Sequence, residues 1–112
     1  MLSGENRIVK KKDFENIFRR GVSFKEGFLS LKINRNSSQK SRFAFVVSRK
    51  VSKKATTRNK IRRQLRELIK LRADKIKKGI DCIFIVLPGI GKKNFEEIKG
   101  VVDSLLKKAK LI

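Results

Sequence analysis

The sequence predicts an α/β (α+β) two-layer sandwich: a small mixed sheet with a β-α-β crossover and flanking N- and C-terminal helices, in a single domain over residues 1–112. Three observations lead there. Apolar residues follow helical spacing in three segments and strand-like patterns in three others, in the order helix, two strands, long helix, strand, helix. The chain has 112 residues, enough for one core and too few for a doubly wound sheet. No repeat or low-complexity tract interrupts the pattern.

The elements follow in order. Asp13 to Arg20 places Phe14, Ile17 and Phe18 at i, i+3 and i+4, a short amphipathic helix that Gly21 ends. Phe28 to Ile33 alternates Leu29, Leu31 and Ile33 with Ser30 and Lys32, which predicts a strand. Asn34 to Lys40 is a polar loop leading to a second strand, Phe43 to Val47. The long helix begins near Ala55, with Thr56 or Thr57 as its expected cap. At about 100° per residue, its residues Ile61, Leu65, Leu68, Ile69 and Leu71 gather on one side. Asn59, Arg62, Arg63, Arg66 and Lys70 gather on the other. Ile83 to Leu87 is the third strand, followed by a turn at Pro88-Gly89-Ile90-Gly91. Asn94 caps the last helix, with Glu96 and Glu97 in its first turn and Lys107, Lys108 and Lys110 near its end. Its expected apolar stripe is Phe95, Ile98, Val102, Leu105 and Ala109.

Charge sets the function class. The chain holds 31 Lys and Arg against 10 Asp and Glu, a net +21. From Lys32 to Arg72 there are 15 basic residues and one acid, Glu67. Such self-repulsion disfavours a compact state unless a polyanion is normally bound, and nucleic acid is the first candidate. The longest apolar run, Ile83 to Leu87, is far short of the ~20 residues a membrane span needs. No apolar signal segment opens the sequence, so a cytoplasmic location is expected. Cys82 stands alone in an apolar run and reads as a small buried hydrophobe.

Chemistry points away from a self-contained enzyme. There is no His, the commonest general base and metal ligand. The acids are scattered, and the adjacent pair Glu96-Glu97 belongs at a helix start for electrostatic reasons. No catalytic residue, metal or cofactor is therefore expected in the chain. Binding is. The basic face of the long helix is rich in Arg, whose planar fork of donors matches phosphate oxygens and stacks on bases. A DNA regulator would need a helix-turn-helix partner before that helix, and none precedes it. A membrane-surface protein would need exposed bulky apolar residues. An RNA-binding protein remains, either a processing factor or a basic ribosomal or RNA-chaperone type.

Arg58-Asn59-Lys60-Ile61-Arg62-Arg63, with Arg66-Glu67, resembles the RNR signature of the bacterial ribonuclease P protein family. Val47-Ser48-Arg49-Lys50 is similar to the strand end before that signature, and Asp13-Phe14 with Phe18 and Gly21 to the family's first helix. The likeness spans roughly residues 6–109. Lys60 departs from the motif's second Arg, the loop Val51 to Lys54 is slightly long, and the chain has no Tyr. The resemblance implies a left-handed crossover around the basic helix, against the general right-handed preference. It implies that Arg58, Asn59, Lys60, Arg62, Arg63, Arg66, Arg49 and Lys50 contact RNA. It also implies a cleft for the single-stranded 5′ leader of precursor tRNA, lined by Phe14, Phe18 and an aliphatic residue, Leu31, in place of Tyr. The partners would be a catalytic RNA that carries the magnesium, and precursor tRNA. On the residues alone, Phe14 and Phe18 remain open between core and cleft.

Overall fold

The structure, a computed structural model, describes residues 7–112. Its elements are α1 (Lys11–Arg20), β1 (Val22–Glu26), β2 (Leu29–Arg35), β3 (Arg42–Val46), α2 (Ala55–Arg72), β4 (Ile80–Val86) and α3 (Phe95–Lys108), with a 3-10 turn at Ile90–Lys92. The sheet order is β1-β2-β4-β3. β2 pairs antiparallel with both β1 and β4, while β3 and β4 are parallel neighbours joined through α2.

β4 is central, and that position explains its composition. Cys82, Phe84 and Val86 face the core beneath α2 and α3, whereas Ile83 packs on the other face with Ile17 of α1. A strand covered on both faces reads as an unbroken apolar run rather than an alternation. The main core joins β2, β3 and β4 to Ile61, Leu65, Leu68 and Ile69 of α2 and to Ile98, Val102, Leu105 and Leu106 of α3. Phe45 and Phe84 stack within it, ring centres 5.7 Å apart. α1 lies over the other face on a smaller cluster of Ile8, Ile17, Ala44 and Ile83, so a single-helix layer supplements the sandwich.

Four details depart from the sequence expectations. β1 is an additional strand. Its pattern, Val-Ser-Phe-Lys-Glu, buries little beyond Phe24, because it is an edge strand held by neighbours rather than by its own apolar content. It reaches β2 through a two-residue turn, in which Gly27 takes φ +56°. α3 secures it through Ser104, which donates to Glu26 at 2.6 Å, and Lys108, which pairs with Glu26 at 2.9 Å. α2 starts at Ala55 after Lys54 and has no side-chain cap from Thr56 or Thr57, both of which lie inside the helix. Leu71 is 64% exposed and Phe95 43%, so neither belongs to its helix's core stripe. Each sits in a terminal turn of its helix. The Asn94 cap is a full capping box: its side chain accepts from Glu97 N–H, and Glu97 accepts from Asn94 N–H.

Gly21 ends α1 by close approach rather than by a left-handed turn. A Cβ there would lie 2.4 Å from the carbonyl oxygen of Ile17 and 2.7 Å from that of Ile33. The absence of a side chain lets the chain pass from α1 into β1 close against the backbone of β2. Cys82 is buried, and burial raises its thiol far above the ordinary range.

Candidate nucleic-acid interface

α2 turns its charges outward because its opposite side is committed to the core. Ile61 and Leu65 are buried, whereas Asn59, Arg63 and Lys70 are exposed and Arg62 and Arg66 are half-buried. The half-buried pair differs for a geometric reason. Arg62 and Arg66, one turn apart, border a groove of about 200 Å³ along the outer edge of β3, where Ile8 N–H donates to the Phe43 carbonyl at 3.0 Å, and Phe14 of α1 also lines it. Phe45 and Arg7 also line it. The basic helix and the aromatic helix, predicted as separate surfaces, therefore meet at one groove.

The remaining signature residues divide by role. Arg58 donates through Nη1 to the carbonyl oxygens of Ser52 and Lys53, both at 3.0 Å, tying the β3–α2 loop to the helix. Asn59 accepts a hydrogen bond from Arg62 Nη2 through its side-chain oxygen. That contact holds the Arg62 fork in one direction, which lowers the conformational cost of meeting a phosphate. Lys60 is exposed, but helical geometry puts it on the flank away from Arg62 and Arg66. Arg49 and Lys50 are exposed in the loop and, with Lys53, line a shallow depression beside the start of α2.

The two aromatic residues are not equivalent. Phe14 is half-buried, packed on the Ile17 cluster while lining the groove. Phe18 is 43% exposed, with Lys32 Nζ 5.6 Å from its ring centre, a cation–π arrangement. The α1 residue that belongs wholly to the core is Ile17, at 1% exposure. Leu31 does not line this cleft. It is fully buried in the core under α2 and α3, on the opposite face of β2. Successive strand residues alternate faces, so its neighbour Lys32 is the one presented to α1. The alternation along β2 carried that signal: the apolar residue goes to the core and the basic one to the α1 side of the sheet.

Arg42, Asp13 and Asp81 form a polar cluster that the motifs did not single out. Arg42 donates to both Asp81 oxygens, at 2.8 and 2.6 Å, and through Nη1 to Asp13 Oδ2 at 3.1 Å. These carboxylates push the Arg42 guanidinium above its usual range, with Asp81 the larger influence. Among the described residues, no three His, Cys, Asp or Glu side chains converge as a metal site, and no helix is long and apolar enough to cross a membrane. The arginines and the aromatic ring of the groove are groups suited to phosphates and bases.

Fold and site together define a basic α/β domain that presents an arginine-bearing helix and an aromatic-lined groove to a nucleic acid. A family profile described as Ribonuclease P matches residues 2–110. The chain is 34% identical over 113 residues to the ribonuclease P protein component of Pseudanabaena, covering 100% of this chain and 97% of that protein. It is 38% identical over 106 residues to that of Clostridium botulinum, covering 94% and 95% respectively. Its structure is similar to that of the Staphylococcus aureus RNase P protein, with TM-score 0.88 and 29% identity over 95% of this chain and 96% of that one. The chain belongs to the ribonuclease P protein family. Its function is that of the non-catalytic protein subunit of ribonuclease P, working with a catalytic RNA to generate the 5′ ends of tRNA. Family membership decides against the ribosomal and chaperone alternatives.

Proposed function

We propose that the groove between α1, the β3 edge and α2 receives the unpaired 5′ leader of precursor tRNA, while the outer face of α2 and its preceding loop hold the catalytic RNA. In this reading Phe14 and Phe18 are stacking surfaces for leader bases, and Lys32 supplies a charge beside Phe18 where Leu31 supplies none. Arg62 and Arg66 neutralise phosphates where the two surfaces meet. Arg63, Lys60, Arg49 and Lys50 bind the catalytic RNA, Arg58 shapes the loop that carries Arg49 and Lys50, and Asn59 orients Arg62. The magnesium ions of the cleavage step belong to the RNA, and the ribonucleoprotein works in the cytoplasm.

One observation carries the leader assignment: Phe18 leaves 43% of its surface exposed beside a lysine, a combination suited to single-stranded nucleic acid. Stacking on an aromatic residue contributes about 1–3 kcal/mol per base. In holoenzyme reconstituted with the catalytic RNA, Phe18→Ala should shrink the affinity preference for precursor over mature tRNA by roughly 5-fold or more. The exposure of the ring keeps the folding cost small, so circular dichroism should report a native fold. An unchanged preference in a folded variant would overturn the leader assignment.

A further inference from the structure

We propose that Asp13 is a positioning residue, which through Arg42 holds the N-terminal end of α1, and with it Phe14, at the distance from α2 at which the groove admits a leader strand. The inference rests on the leader assignment and adds to it the device that sets the groove's width. α1 has ten residues and one fully buried side chain, Ile17, with Phe14 half-buried on the same small cluster, so apolar packing holds its N-terminal end only lightly. An isolated helix that short is marginal, and tertiary contacts must fix where it lies. Its N-terminal end has no side-chain cap from Lys10. The carboxylate in its first turn, Asp13, is instead 3.1 Å from Arg42 Nη1.

Arg42 is a firm anchor for that contact. It opens β3 directly opposite Asp81 of β4, and its bidentate bond to Asp81 fixes the plane of the guanidinium. Asp81 is 4% exposed and accepts a further bond from Asn36 Nδ2 at 2.7 Å. The third guanidinium nitrogen is therefore held at a set height above the sheet, and Asp13 meets it there. Phe14 follows Asp13 directly and forms the groove wall facing Arg62 and Arg66. Releasing Asp13 frees the end of α1 that bears this wall, while leaving the Arg42–Asp81 pair in place.

Charge and position have opposite signatures here. Removing a carboxylate near a polyanion site strengthens RNA binding without regard to the leader. Loss of position weakens the leader contact alone. In the reconstituted holoenzyme, Asp13→Ala should lower the precursor-over-mature preference by roughly 3- to 10-fold. Arg42→Lys keeps a charge for Asp81 but has no fork to engage both carboxylates, so it should give a loss of similar size. In a Phe14→Ala background, Asp13→Ala should add little further loss, since the wall it positions is already gone. Phe18→Ala is measured alongside. If Phe18→Ala shrinks the preference while Asp13→Ala and Arg42→Lys leave it or raise it, the positioning role is overturned and the leader assignment stands. Additive losses of Asp13→Ala and Phe14→Ala would also overturn it. If Phe18→Ala has no effect, the leader assignment falls and this inference with it.

Discussion

Arg62 and Arg63 are adjacent in sequence and live in different surroundings. Arg62 is half-buried at the groove and bonded to Asn59, while Arg63 projects freely from the outer face of α2. That difference makes Arg63 the cleaner probe of RNA contact, because its truncation removes no groove wall. Each phosphate contact contributes roughly 0.7–0.9 to the slope of log affinity against log salt. Arg63→Ala should weaken binding of the catalytic RNA and flatten that slope by up to about one unit. Melting should stay within about 0.5 kcal/mol of the parent, as for most exposed substitutions. A large fall in melting temperature would instead make Arg63 a structural residue. The same contrast between neighbours separates Ile17 from Phe18 and Leu31 from Lys32. In each pair the backbone direction, rather than residue chemistry, decides which side chain stays out of the core, and Phe18 and Lys32 meet there.

At the scale of elements, α2 is useful only if it is held at a fixed angle to the sheet, and its far end is held by α3. Arg72 engages Asp103 through two bonds of 2.9 Å, and its guanidinium keeps the Asp103 carboxyl below the usual carboxylate range. The sign follows from linkage. A carboxyl with a folded-state pKa below its unfolded value stabilises the fold fully above the unfolded value, near pH 4, and ceases to do so as pH falls through the folded value. The melting-temperature difference between the parent and Asp103→Asn should therefore be constant near neutral pH and shrink below about pH 4. A difference that persists undiminished at pH 2 would show that packing, and not charge, joins the two helices. Elements also differ in how openly the sequence declares them. α2 and α3 carry long periodic patterns, and α3 adds a capping box at Asn94 and Glu97. β1 has five residues and one core side chain, and it exists because β2 and α3 hold it, so no local pattern announces it.

For the whole molecule, the net charge of +21 acts on folding and binding with opposite signs. Raising salt from 0.1 to 1 M shortens the screening length from about 10 to about 3 Å. Self-repulsion within the protein should weaken, so the free chain should melt at a higher temperature in 1 M than in 0.1 M NaCl. RNA affinity should fall steeply over the same range through loss of counterion release. A melting temperature that drops with salt would mean that ion pairs such as Arg42–Asp81 outweigh the repulsion among the lysines and arginines.

By itself the amino-acid sequence determined the order of the helices and of three strands, the basic face of α2, the capped start of α3 and the resemblance that the family match bears out. These are local properties, written in periodicity, composition and short motifs. Tertiary structure alone decided that Phe14 faces Arg62 and Arg66 across one groove, that Lys32 rather than Leu31 looks toward α1, and that Arg42 joins Asp13 to Asp81. These arrangements depend on which sheet face each helix covers and on the register of β3 against β4. Both arise from contacts between residues distant in the chain, on which local spacing has no hold.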